Sequence, residues 1–177
     1  MAPIDSLRGK LLVAAPQLED YFHRTVVLVL EHTDEGAMGL VLNRPTESEV
    51  IEAVPSLSDL VDSSDLVHAG GPVQPDSVLV LGDFEEPEDA GTQVVGTLGL
   101  LDPERPEAEL NRVRVFAGYA GWAPGQLDLE LEQEAWIVVP ADPDDAFSEE
   151  DLWGDALRRK GGEYALLATM PADPSLN

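Results

Sequence analysis

The 177-residue sequence contains no cysteine, so neither a disulfide bond nor a thiolate metal ligand holds its fold together. Positive charge is also scarce: 10 lysines and arginines face 35 aspartates and glutamates, and the formal net charge is −25. Aromatic residues make up only 6% of the chain, whereas 44% of its residues are hydrophobic. We therefore expect aliphatic packing to stabilise one domain with an acidic surface.

The few basic residues are unevenly distributed, and residues 46–104 and 115–157 contain no lysine or arginine. Duplex DNA binds through basic groups that neutralise its phosphates, and anionic lipid attracts the same groups. The charge therefore disfavours nucleic acid as a partner.

Long hydrophobic runs are absent as well, and none approaches the roughly 18 apolar residues of a membrane-spanning helix. The apolar residues 11–15 are too few for the core of a signal peptide, and Pro16 ends them. The sequence thus predicts a cytoplasmic protein without membrane association.

A β-hairpin is the clearest local pattern in the sequence. Residues 25–30 are apolar or β-branched throughout, which is typical of a strand buried on both faces. Turn-forming residues 33–36 follow, and residues 37–42 resume the apolar run until Pro45 stops it. Further predicted strands are 10–14, 77–81, 93–98, 112–119 and 135–139, and the acidic segments 83–90 and 140–145 are predicted surface loops.

Helices are predicted near the C-terminal part of the chain. Ser148 is expected to cap a helix together with Asp151, and the basic residues 158–160 with Gly161 suit its last turn and its end. An apolar stripe at helical spacing supports this helix: Leu152, Trp153, Ala156 and Leu157. The leucines of residues 127–131 alternate as in a strand, but Pro124 and the acidic residues that follow favour a helix.

Patterns for catalysis, metal binding and cofactor binding are missing. The three histidines, His23, His32 and His68, lack the spacing of a helical zinc motif, and we interpret them as structural or surface residues. No serine lies in a Gly-x-Ser-x-Gly turn, and the glycine pairs lack the lysine of a phosphate-binding loop. We expect no catalytic residue, no metal and no cofactor.

Two polar clusters are candidate ligand-binding residues. One is Asn43 with Arg44, and the other comprises Arg114, Tyr119, Trp122 and Gln126 around the glycines of residues 118–121. Glycines beside aromatic side chains can form the floor of a binding groove, because a ligand can approach the backbone closely where no Cβ intrudes. The same residues also suit ion pairing, core packing and a bend, so both interpretations stay open.

Four segments of the sequence together form a recognisable signature: GKLLVAAPQLEDYFHRTVVLVLEHTDEGAMGLVLNRP at residues 9–45, GGPV at 70–73, FAGYAGWAPGQL at 116–127 and DPSLN at 173–177. In these segments the sequence resembles the bacterial YqgE/AlgH family, whereas residues 83–90 and 140–145 depart from the resemblance. It implies a single YqgE/AlgH-like domain over residues 1–177 in a cytosolic bacterial protein. It also implies an α+β fold, with a branched, mixed and partly barrel-like sheet surrounded by helices. It implies no reaction, although some members carry the label of transcriptional regulator.

Three functional hypotheses follow. The leading one is a non-enzymatic binding or regulatory protein that acts through protein partners, by way of the cluster near Trp122. The second is a transcriptional regulator that contacts DNA directly, which the charge disfavours. The third is an enzyme or binder of small anions, in which Arg44, Arg114 and Tyr119 converge on one pocket.

Overall fold

The computed structural model describes residues 6–18, 20–102, 104, 108–148 and 151–169, which form an α+β domain with ten strands and four α-helices. The strands are β1 (Lys10–Ala14), β2 (Val26–Thr33), β3 (Gly36–Val41), β4 (Pro45–Glu49), β5 (Leu66–Ala69), β6 (Val73–Phe84), β7 (Thr92–Val95), β8 (Leu98–Leu100), β9 (Leu110–Trp122) and β10 (Trp136–Pro140). The helices are α1 (Val50–Ala53), α2 (Gln126–Glu132), α3 (Leu152–Lys160) and α4 (Glu163–Leu167).

The strands belong to one branched sheet with the order β10-β1-β2-β3-β9-β6-β8-β7. Strands β4 and β5 lie off this path, where β5 pairs with both β4 and β9. The β5–β9 pair is parallel and the other pairs are antiparallel, so the sheet is mixed. No helix in the described part of the chain is long and apolar enough to cross a membrane.

The long strand β9 is the branch point of the sheet. Its C-terminal residues 120–122 pair with β3, while its preceding residues pair with β6 on one side and with β5 on the other. The sheet therefore divides into two parts, and within the described residues its end strands β10 and β7 each pair on one side only. The expected branching is confirmed, whereas the expected barrel-like closure is wrong.

The β2–β3 hairpin forms as the sequence predicts, with Val27 opposite Val41 and Thr33 opposite Gly36. Alternate residues of β2 enter two different cores. Val26 and Leu28 pack on the face that α3 covers, and Val27 and Val29 pack on the opposite face with residues of α2 and β10. Burial on both faces explains why the apolar run is uninterrupted.

Helix α3 covers one face of the sheet through the predicted apolar stripe, and all four of its members are buried. Its N-cap is Asp151, whose carboxylate accepts a hydrogen bond from Gly154 N at 3.1 Å. The predicted cap at Ser148 is wrong, because that residue ends the preceding 3-10 turn instead. The basic residues lie in the last turn, and Gly161, with φ of 81°, ends the helix as expected.

The remaining predictions differ from the structure mainly at element ends. The segment after Trp122 forms the favoured helix, α2, and β1 has its predicted bounds. The predicted strand 93–98 is interrupted, because Gly96 takes a φ of 54° between β7 and β8. Strands β4 and β5 were not anticipated. The polar composition of β4 and the shortness of β5 give neither strand a recognisable pattern.

Candidate functional site

A cavity of about 330 Å³ lies beside β9, where β4, β5 and α1 meet the end of β3. We call it the polar cavity, because charged and hydrogen-bonding side chains interrupt its aliphatic wall. The polar or charged residues of its lining are Asn43, Ser64, Asp65, His68, Arg114 and Ser148. The aliphatic residues of its lining are Leu42, Pro45, Val50, Val61, Leu66, Val113 and Val115.

His68 is the most deeply buried of these polar residues, with 8% of its surface exposed. Its ring packs against Phe116, with the ring centroids 5.7 Å apart, and its Nδ1 lies 3.1 Å from Leu66 O. A carbonyl oxygen only accepts, so Nδ1 carries the proton that it donates. Burial, and then the charge of Arg114, lower the pKa of His68 from 6.5 to about 4. The imidazole is therefore neutral at physiological pH.

Arg114 places a cation on the wall of the polar cavity. Its Nη1 donates hydrogen bonds to Ser148 O at 2.9 Å and to Ala146 O at 3.2 Å. These carbonyl groups belong to the segment before α3, so they fix the guanidinium on the side where that segment crosses β9. The predicted site residue Arg114 thus lines a cavity and also anchors a loop.

Asn43 lines the same cavity, but its carboxamide is engaged elsewhere. Its Oδ1 accepts a hydrogen bond from Val26 N at 3.0 Å, and its Nδ2 donates to Arg24 O at 2.9 Å. Arg24 has a φ of 56°, an uncommon conformation for a non-glycine residue. The side chain of Asn43 therefore holds the turn that leads into β2.

Arg44 does not line the polar cavity with Arg114. Its Nη2 donates to His23 O at 2.8 Å, and its guanidinium lies 5.6 Å from the ring centroid of Tyr21. Tyr119 is partly buried and packs against the core that α3 covers, outside the cavity lining. The three residues of the anion hypothesis are therefore not brought together in this cavity.

Trp122 and Gln126 lie at the other end of β3 and share a partner, Glu130 of α2. The indole Nε1 atoms of Trp122 and Trp136 donate to Glu130 Oε1 at 3.0 and 2.9 Å. Gln126 Nε2 donates to Glu130 Oε2 at 2.9 Å. We call these four residues the Glu130 cluster. Its hydrogen bonds tie α2 to β9 and β10, so Trp122 has a clear packing role.

A second cavity, the apolar groove, has a volume of about 600 Å³ and lies between the segment after α1 and strand β6. Its lining is mostly aliphatic and includes Val54, Leu57, Leu60, Val78, Leu79, Val80, Leu100, Leu101 and Leu110. Leu60 and Val78 are 46% and 48% exposed, respectively.

The sequence-based candidates thus fall in three places: Asn43 and Arg114 at the polar cavity, Arg44 and Tyr119 apart from it, and Trp122 with Gln126 in the Glu130 cluster. The sequence analysis did not predict His68, Leu60 or Val78 as residues that line a cavity. The sequence shows His68 only as an isolated histidine before two glycines, and the sequence-based interpretation of it is a structural or surface residue. Among the described residues, no cluster of three histidines or carboxylates is arranged to hold a metal ion.

Comparison with known proteins agrees with the resemblance in the sequence. The family model described as DUF179, AlgH-like, matches residues 11–165. A UPF0301 protein of Streptomyces coelicolor is 45% identical over 190 residues, which cover 100% of this chain and 98% of the relative. One of Thermobifida fusca is 45% identical, with 97% and 96% covered.

Two solved structures share the fold. A crystal structure of a Corynebacterium diphtheriae protein superimposes with a TM-score of 0.84 at 32% identity, covering 96% of this chain and 95% of the other. The solution structure of the AlgH protein of Pseudomonas aeruginosa, UPF0301, gives a TM-score of 0.71 at 28% identity, with 97% of each chain covered. The chain belongs to the AlgH-like, UPF0301, family.

Proposed function

We propose that the protein is a non-enzymatic binding protein whose apolar groove receives a basic segment of a partner protein, with aliphatic side chains as anchors. The observation that carries this proposal is the pair of half-exposed aliphatic residues, Leu60 and Val78, in one concave, mostly aliphatic surface. Contiguous exposed apolar surface with polar surroundings is typical of protein interaction sites.

The charge around the groove argues for a basic partner. The groove-lining residues from Val54 to Asp102 fall within residues 46–104, which include many carboxylates and no lysine or arginine. Opposite charges around an apolar contact raise the association rate and select the partner. An acidic segment with the same aliphatic anchors would be repelled by this surface.

The internal pairing of basic residues gives no support to direct DNA contact. Arg112 bonds to both Asp83 and Asp144, and Arg159 makes two hydrogen bonds of 2.9 Å with Asp145. A guanidinium paired in this way contributes little positive field outside the molecule. We expect no association with a 20-base-pair duplex at 50 mM salt. Steep, salt-dependent anisotropy changes would reverse our ranking.

The proposal is tested with a fluorescent amphipathic peptide of leucine and lysine and with a matched peptide of leucine and glutamate. Fluorescence anisotropy at 150 mM salt measures both affinities, and only the basic peptide is expected to bind. The double variant Leu60→Ser/Val78→Ser should weaken its binding at least tenfold, because both anchors of the groove are removed.

The matched control is the double variant Leu129→Ser/Leu166→Ser, which alters aliphatic residues 53% and 70% exposed, in α2 and α4. It should change the affinity less than twofold. Equal weakening by the two double variants, or no binding of the basic peptide to the wild type, would refute the groove as the site. The cytoplasmic location stays a prediction, and microscopy of a tagged chain tests it.

A further inference from the structure

We propose that the polar cavity binds a small carboxylate that carries a neighbouring O–H or N–H donor, such as a hydroxy acid or an amino acid. The donor would bond to His68 Nε2, and the carboxylate would lie toward Arg114. This site is separate from the apolar groove and does not depend on the proposed protein partner.

The argument begins with an acceptor that the protein leaves unused. Because Nδ1 of His68 donates to Leu66 O, the neutral ring has its lone pair on Nε2. No group of the described protein bonds to that atom. Among the described residues, no fully buried side-chain nitrogen or oxygen lacks a partner, so Nε2 is accessible to solvent, and His68 lines the polar cavity.

This acceptor is held in place and in one protonation state. The ring is more than nine-tenths buried and packs against Phe116, so it has little freedom to turn. Its low pKa of about 4 keeps it neutral at physiological pH. A neutral imidazole with this tautomer has no proton to offer at Nε2, and it selects a ligand that brings a donor.

The charges around His68 define the rest of the ligand. Arg114 lines the same cavity, and its positive charge is felt at the imidazole, since it contributes to the low pKa of His68. A guanidinium favours a carboxylate. Asp65 also lines the cavity, and its Oδ2 accepts from Asp62 N at 3.0 Å. A carboxylate there favours a ligand that bears a donor and disfavours one that is purely anionic.

The size and walls of the cavity limit the ligand further. A volume of about 330 Å³ is at the small end of the range for ligand pockets. Aliphatic side chains such as Val50, Val61 and Val115 make up much of its lining, so a short apolar group on the ligand would be accommodated. These limits point to a molecule of amino-acid size.

The test uses three small carboxylates: acetate, which has no donor, glycolate, which adds a neutral hydroxyl, and glycine, which adds a charged ammonium. Nuclear magnetic resonance follows their binding through the amide signals and through the ¹⁵N signals of the histidine rings at pH 7. Glycolate or glycine should bind about fivefold more tightly than acetate, as one added hydrogen bond allows. The ring signal of His68 should move, whereas those of His23 and His32, which lie outside the cavity, should not.

The variant His68→Phe keeps a planar ring and removes the acceptor, so the preference over acetate should fall to within twofold. Thermal unfolding tests whether the variant is folded. If it is not, the histidine ring signals of the wild type provide an independent test. A stronger response to glycolate assigns a hydroxyl donor, and a stronger response to glycine assigns an ammonium donor. The proposal would be overturned if the wild type bound acetate as tightly as glycolate and glycine. It would also be overturned if no probe moved the ring signal of His68.

Discussion

Removal of the Glu130 carboxylate should destabilise the protein through the two tryptophans that bond to it. In the variant Glu130→Ala, the indole N–H groups of Trp122 and Trp136 lose their shared acceptor. Both tryptophans are buried, with 7% and 5% of their surfaces exposed. Buried donors that lose their partner carry the cost of desolvation without its compensation.

The size of the effect follows from these two bonds. A hydrogen bond to a charged group contributes about 1.5–3 kcal/mol, and partial access of water at Glu130 reduces that figure. We expect the free energy of unfolding to fall by about 3 kcal/mol. For a domain of this size, each kcal/mol lowers the thermal midpoint by roughly 2–4 °C, so the midpoint should drop by about 6–12 °C.

Glu132→Ala is the matched control, because it makes the same substitution at an exposed position of the same helix. The two variants share the loss of one negative charge and the change in helix propensity, so their difference isolates the hydrogen bonds. Urea unfolding followed by circular dichroism measures both. If Glu130→Ala and Glu132→Ala lie within about 0.5 kcal/mol of each other, the Glu130 cluster does not stabilise the fold as reasoned.

Three further changes have calculable outcomes. Gly39→Ala should cost about 2 kcal/mol and lower the thermal midpoint by about 4–8 °C, because a Cβ there would meet Val27 Cγ1 at 2.6 Å; an unchanged calorimetric midpoint would refute this. Asp145→Ala should cost about 2–4 kcal/mol in urea unfolding, since it removes both bonds to the Arg159 guanidinium, and a loss below 0.5 kcal/mol would contradict it. Because burial lowers the pKa of His68 to about 4, the unfolded chain binds the proton first, and stability falls as pH drops from 6.5 toward 4. Between pH 7 and pH 4, the free energy of unfolding of the wild type should therefore fall by on the order of 3 kcal/mol more than that of His68→Phe. Equal shifts of the urea midpoint in the two proteins would disprove this.

The elements that were predicted correctly are those whose signal is local. Strand β2 and helix α3 have apolar patterns that follow from burial on two faces and on one face, respectively. The Ser148 cap was predicted wrongly because serine and aspartate are both good caps, and their spacing alone does not decide between them. The expected closure of the sheet came from the family resemblance, and it depends on which strands pair at the ends of the path, which no local pattern encodes.

The candidate site was predicted less well, because convergence is a property of the folded chain. Arg114 was chosen as a rare basic residue, and it does line the polar cavity. Arg44 was chosen for the same reason, but the turn before β2 engages it. His68 was overlooked because several of its neighbours in the cavity come from the segment after β3, from β9 and from the segment before α3, which are distant in sequence.

The pairing of β1 with β10 has a consequence for synthesis on the ribosome. Residues 10–14 pair with residues 136–140, and Trp153 Nε1 donates to Ala14 O across 139 positions of the chain. The hairpin formed by β2 and β3, apolar on both faces, is therefore translated long before the segments that cover it. Until α3 emerges, the nascent chain exposes this hairpin to aggregation or to a chaperone, and late contacts of this kind slow the completion of folding.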